Sequence, residues 1–181
     1  NDVKVRQAIN YALDVPTVVE TAWKGIGQVA QGPMSSNINY FNPDIKQYEY
    51  NVEKAKELLA EAGYADGFST KLWTNEKQER IDMATIIQSQ LKEIGIEVEV
   101  EILEWGSYIE KLGNGEQDMF IIGWTGQSSD PDLALYGPLS KETLGAGANF
   151  TFYQNDKVND LLLEGRRIMA WFSFGNGVKF R

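Results

Sequence analysis

Apolar side chains along this chain recur at helical spacing in some stretches and alternate strictly in others, and the two periods sort it into elements. Val3, Ala8, Ile9, Ala12 and Leu13 share one side of a helix, with Lys4, Arg6, Gln7 and Asn10 on the other. Asp14 precedes Val15-Pro16, and proline at a first helical position predicts a second short helix through about Trp23, ended by Gly25 and Gly27. From Gln28 to Tyr48, glycine, proline, serine and asparagine predict a long irregular segment. Asn51 is placed to cap a helix running from Val52 to Ala62, stopped by Gly63.

Phe68 to Thr74 reads as a strand. An amphipathic helix from about Glu76 to Ile94 follows, with Ile81, Ala84, Ile87, Leu91 and Ile94 along one side and Gly95 as its stop. Ile96 to Ile102 alternates without a fault, which predicts a strand with one buried and one acidic face. Glu97, Glu99 and Glu101 on that face read as solvated surface that discourages edge pairing, because same-face neighbours diverge into solvent rather than converge on a metal. A short helix from Gly106 to Leu112 leads to a turn at Gly113-Asn114-Gly115. Asp118 to Trp124 is a continuous apolar run, the pattern of a strand covered on both faces. Pro131 opens a helix through Tyr136, and Asn155 caps a last helix from Val158 to about Arg167. Trp23 and Trp73 read as core. This alternation predicts an α/β domain, a small mixed β-sheet flanked by helices.

Composition narrows the chemistry. The 181 residues suffice for one sizeable domain, and 43% hydrophobic with 24% charged side chains is ordinary for a folded chain. Acidic residues number 26 against 17 basic, a formal net charge of -9 with no basic run, which argues against nucleic acid or an anionic bilayer as partner. Histidine and cysteine are both absent. That removes disulfides, the usual zinc and copper ligands, and serine–histidine and cysteine–histidine catalysis. No cofactor is implied. No stretch has the ~18–20 apolar residues that span a bilayer. The opening Asn1-Asp2, without an initiator Met, suggests a mature form or an excised domain.

Several segments resemble a known family. Val3-Lys4-Val5-Arg6-Gln7-Ala8-Ile9-Asn10-Tyr11-Ala12-Leu13-Asp14 resembles the opening of the second lobe in the peptide/nickel family of ABC-transporter solute-binding proteins. Tyr50 to Tyr64 is similar to that family's most recurrent helix. Ile87-Gln88, Leu91-Lys92-Glu93-Ile94-Gly95-Ile96, Trp105 with Tyr108, and Gly123-Trp124 with Asp130-Pro131-Asp132 match in order and spacing. The resemblance covers roughly Asp2 to Arg167. It implies one lobe of a two-lobed, Venus-flytrap (type II periplasmic-binding-protein-like) fold that encloses its solute between lobes. The implied partners are a peptide or other small solute, the missing first lobe of the same protein, and an ABC permease in the membrane. The implied location is extracytoplasmic, in the periplasm or lipid-anchored at the cell surface, and no enzyme activity is implied.

In relatives that bind peptides, the loop after the Gly-Trp strand lines the cleft. By that resemblance Trp105, Trp124, Thr125, Gly126, Gln127, Asp130 and Asp132 are the candidate ligand-binding residues. Stiff aromatic walls suit side chains of varied size, and polar groups suit a peptide backbone. Core packing is the alternative for Trp124. Relatives often carry an Asp three residues after this Trp, paired with the ligand's ammonium group; here the position is Gln127. A neutral amide supplies no charge, so either Asp130 or Asp132 takes over the cation or the ligand has no ammonium anchored here. Asp130 before Pro131 also reads as an N-cap. Oligopeptide is the default solute and an oligosaccharide the alternative within the family.

Residues 1–167 thus read as a single lobe, and 168–181 as an atypical aromatic and basic tail, vector-derived or frame-shifted, too broken by glycine for a good amphipathic helix. Two other function classes remain: a carboxylate-pair hydrolase, for which no pairing of acids is visible, and a stand-alone protein-interaction domain whose cleft face is an exposed apolar patch.

Overall fold

The computed structural model describes residues 2–124 and 130–175, the stretch 169–175 as backbone only. The chain divides into two compact units. The first comprises the chain up to Ala30 with Asp44–Tyr108 and Gln117–Gly123; the second comprises Gln31–Pro43, Ile109–Glu116 and the chain from Trp124 onward.

In the first unit, α1 (Val3–Ala12) is capped by Asp2, and α2 (Val15–Trp23) by Asp14, whose carboxylate accepts from the backbone N–H and hydroxyl of Thr17. Asn51 caps α3 (Val52–Glu61) by accepting from the N–H of Lys54. Strand β1 (Phe68–Asn75) leads into α4 (Gln78–Lys92) and β2 (Ile96–Leu103). After α5 (Trp105–Asn114), which ends in the second unit, the two-residue β3 (Met119–Phe120) completes a sheet of order β2-β1-β3.

Both pairings are parallel, so the expected small sheet is present but is parallel rather than mixed. Parallel neighbours need a crossover, and α4 and α5 supply the two connections. The expected third strand is also shorter and only half-buried: β3 pairs with β1 over Met119 and Phe120 alone, and just beyond it the N–H of Ile121 donates to the carbonyl of Trp73.

The core of this unit packs Ala8 and Ala12 of α1 with Ala55, Leu58 and Leu59 of α3, Leu72 of β1, Ala84 and Leu91 of α4, Ile94, and Ile96 and Val98 of β2. Fully buried alanines at 8 and 55 suit close helix packing, while Leu59, Leu91 and Ile96 each contribute about 1.5–3 kcal/mol by leaving water. Polar side chains pin the helices: Gln88 donates to the carbonyl of Val98, and Gln90 accepts from the N–H of Asp14. Trp73 is buried as expected. Trp23 is not: it is 45% exposed, because Val18 and Ala22 occupy the buried side of α2.

The second unit holds α6 (Pro131–Leu139), two short 3-10 turns (Lys141–Thr143 and Gly145–Gly147) and α7 (Asp156–Gly175). Asn155 caps α7 by accepting from the N–H of Val158, as its position predicts, but the helix runs past Arg167 to Gly175. Buried Asn149 organises the turns. Its amide donates to the carbonyls of Ser140 and Tyr153, and its oxygen accepts from Thr151 hydroxyl and Tyr153 N–H. Among the described residues no helix is long and apolar enough to cross a membrane.

Candidate functional site

Because all three strands run parallel, their carboxyl ends lie along one edge of the sheet. In open sheets of this kind ligands collect outside that edge, at the point where successive strands depart in opposite directions. Here that point is β1, which has β2 on one side and β3 on the other.

Each strand delivers particular residues to the edge. β1 ends in Thr74 and Asn75, both buried. Arg80, in the first turn of α4, donates from Nη1 to Asn75 Oδ1 at 2.9 Å. Beyond β3, Gly123 lies against the same guanidinium: a Cβ there would stand 2.5 Å from Arg80 Nη2. Any larger residue would displace the arginine. β2 ends ahead of Glu104, whose carboxylate accepts from the backbone N–H of Ser107 and starts α5. Hydrogen bonds from the backbone of Gly106 and Ser107 hold that carboxyl below its ordinary pKa.

Trp105 and Tyr108 are in the first turn of α5, their ring centroids 6.0 Å apart. Tyr108 is fully buried and its hydroxyl donates to the carbonyl of Ile121 at 2.9 Å. Burial pushes the phenol up to about 12, with the nearby Arg80 charge opposing the shift. Trp105 is 46% exposed and leaves an aromatic surface open beside this edge.

Trp124 belongs to the second unit. It is no core residue: it is 48% exposed, with Nε1 donating to the carbonyl of Leu133 at 2.9 Å and its ring against Gly137, where a Cβ would come within 2.8 Å. Asp130 caps α6, accepting from the N–H of Asp132 at 2.9 Å. Asp132 pairs with Arg166 Nε at 3.2 Å, and that guanidinium stacks 3.8 Å above the Tyr136 ring. Both carboxylates therefore have structural partners. Thr125, Gly126 and Gln127 lie outside the described residues.

The acidic side of β2 is engaged with Lys71, which pairs with Glu99 at 3.7 Å and more closely with Glu101. Among the described residues no group of three or more acidic side chains is arranged to hold a metal ion. Sequence reasoning missed Asn75, Arg80 and Gly123. The available signal was a cationic residue in the first turn of a helix that follows a strand, where the helix dipole disfavours it.

Residues 1–145 match the model of the family described as bacterial extracellular solute-binding proteins, family 5 Middle. The chain is 36% identical over 171 residues to Heme-binding protein A of Haemophilus influenzae, covering 91% of this chain and 31% of that protein. It is 32% identical over 171 residues to the Dipeptide-binding protein of Escherichia coli, covering 92% and 32%. The solved structure of the ABC transporter-associated periplasmic binding protein DppA from Helicobacter pylori in complex with peptide STSA matches with TM-score 0.86 at 38% identity, covering 91% of this chain and 33% of that one. The chain spans about a third of the length of these relatives.

Proposed function

The chain belongs to family 5 of the bacterial extracellular solute-binding proteins, matching its middle region, and from that premise we propose that it forms one wall of an oligopeptide-binding cleft. The observation that carries the reading is the carboxyl edge of the parallel sheet, where Asn75, Arg80 and Gly123 meet. Beside it, Trp105 keeps about half of its surface open. An aromatic face next to oriented polar groups suits a peptide, whose side chains vary and whose backbone does not. In the second unit Trp124, held by Leu133 but half exposed, has an aromatic surface of its own, and Thr125, Gly126 and Gln127 follow it in the chain.

In this reading the lobe does no chemistry. Solute is enclosed between this lobe and another supplied by the full-length protein, outside the cytoplasm, and the closed form presents the solute to an ABC permease. Asp130 and Asp132 act by holding α6 in place rather than by meeting an ammonium group.

Calorimetric titration of the full-length protein with a tetrapeptide library and an oligosaccharide panel tests the proposal. Saturable binding of peptides at micromolar or tighter Kd is the expected result. Binding of the sugars alone would transfer the assignment to an oligosaccharide. Hydrolysis of either class, abolished by Asp130→Asn, would replace it with an enzyme.

A further inference from the structure

We propose that the outward face of α2, with Trp23 and Ile26 at its centre, is a permanent interface covered by an apolar segment of the full-length protein that lies outside these 181 residues. This surface is independent of the cleft reading above, and its occupant belongs to the same polypeptide.

A surface helix ordinarily carries one apolar stripe, and α2 carries two. Val18 and Ala22 are buried, while Val15, Val19 and Trp23, spaced four apart, form a second stripe in which Val15 and Trp23 are exposed and Val19 is half-buried. The chain then turns back through Lys24 and Gly25, both left-handed, and the N–H of Ile26 donates to the Trp23 carbonyl at 3.0 Å. That return seats Gly27 on the stripe: a Cβ there would stand 2.9 Å from Val19 Cγ1 and 3.0 Å from Trp23 Cβ. The packed glycine fixes the turn and holds Ile26 out, 86% exposed, beside the exposed indole, with Val29 exposed three residues further on.

Water is a poor match for this face. The neighbouring α3 meets solvent with the pairs Lys54–Glu57 and Lys56–Glu53, whereas from Val15 to Ala30 the charged side chains are Glu20 and Lys24, which cancel. Apolar surface depleted of charge is the composition of an interface core, while transient partners are drawn in by complementary charge that this patch does not offer. A second copy carries the same net charge of -9, and an anionic bilayer is repelled for the same reason. The rest of the polypeptide meets neither objection. The chain spans about a third of the length of its relatives, and the remaining length supplies the cover.

These 181 residues contain no cysteine, so a thiol can be placed on the patch by Ile26→Cys in the solute-free full-length protein, with any cysteine elsewhere changed to serine. The rate of its reaction with a maleimide is compared with that of the same variant unfolded in urea, and circular dichroism confirms folding. Labelling at least about 10-fold slower in the folded protein, at a rate independent of protein concentration, is the expected result. Labelling at the unfolded rate overturns the proposal. Protection that grows with protein concentration assigns the face to a second copy, and protection that appears only with permease-containing vesicles assigns it to the permease; either overturns it. Val29→Cys replaces the first variant if that one does not fold. Acrylamide quenching gives a second readout. Trp23→Phe removes a shielded fluorophore if the face is covered, so the quenchable fraction of the emission rises; a fall in that fraction means an open indole and overturns the proposal.

Discussion

Two glycines with nearly the same backbone angle are expected to respond very differently to one added methyl group. Gly67 has φ +75° and Gly63 has φ +85°, so alanine at either must adopt the left-handed conformation that L-residues disfavour, at about 1 kcal/mol. They differ in space. A Cβ at Gly63 meets nothing within 4 Å, whereas one at Gly67 would stand 1.8 Å from the carbonyl oxygen of Gly95. That oxygen accepts the N–H of Phe68 and sits beside the first rung of the β1–β2 ladder, where Phe68 pairs with Ile96. Relief of the overlap therefore means separating the paired starts of two strands. Overpacking of this kind costs about 1–3 kcal/mol beyond the backbone strain, so Gly67→Ala should lose about 2–4 kcal/mol and Gly63→Ala about 1. Urea unfolding followed by tryptophan fluorescence and by far-ultraviolet circular dichroism measures both, with coincident curves required for the comparison. At a slope of about 2 kcal/mol per molar urea, the Gly67 midpoint falls by about 1–2 M and the Gly63 midpoint by about 0.5 M. Equal losses in the two variants would refute the assignment of the close approach at Gly67–Gly95.

Asn149→Ala leaves the carbonyls of Ser140 and Tyr153 and the N–H of Tyr153 short of partners, and should cost about 2–4 kcal/mol, read as faster amide exchange across residues 140–153. Tyr108→Phe removes one buried hydrogen bond, worth about 1–2 kcal/mol near neutral pH. Because the folded phenol is raised to about 12 from 10.0, the unfolded chain ionises first; this group's stabilisation is complete below about pH 10 and is lost as pH rises toward 12. Wild type should therefore lose stability more steeply than Tyr108→Phe across that window, and parallel alkaline limbs would count against the burial of the hydroxyl. Trp124→Phe should cost under about 1.5 kcal/mol in stability while losing the bond to Leu133, with a larger effect on solute affinity measured by titration.

The helices were legible because their signals are local. Asp14, Asn51 and Asn155 announce caps that the structure contains, and Gly63 and Gly95 mark stops. Ile96 to Ile102 was legible because alternation reports a face directly, as buried Ile96 and Val98 against exposed Glu97 and Glu99 show. The apolar run at 118–124 misled because periodicity records how apolar a stretch is and says nothing of how many residues find ladder partners: β3 pairs over Met119 and Phe120 alone. Trp23 misled for a related reason. Its size predicts burial, but Val18 and Ala22 already fill the inward side of α2. Trp105 and Trp124 were legible as candidates through resemblance, whereas Arg80 depended on contacts with residues five and more than forty positions away, which no short window contains.

Local rules are broken together at the end of β1. Arg80 opposes its helix dipole, Lys77 leaves the turn without a side-chain cap, and the Thr74 hydroxyl is buried without a bond. Elsewhere in the first unit the same choices agree with the fold: Asp2, Asp14 and Asn51 each cap a helix, and Lys71 has acids beside it. Three helix starts satisfy these rules, whereas at the fourth only Glu79 complements the dipole while Arg80 opposes it. These exceptions sit at the carboxyl edge of a parallel sheet, where the cleft proposed above expects groups left unmatched in the protein to be matched by a ligand.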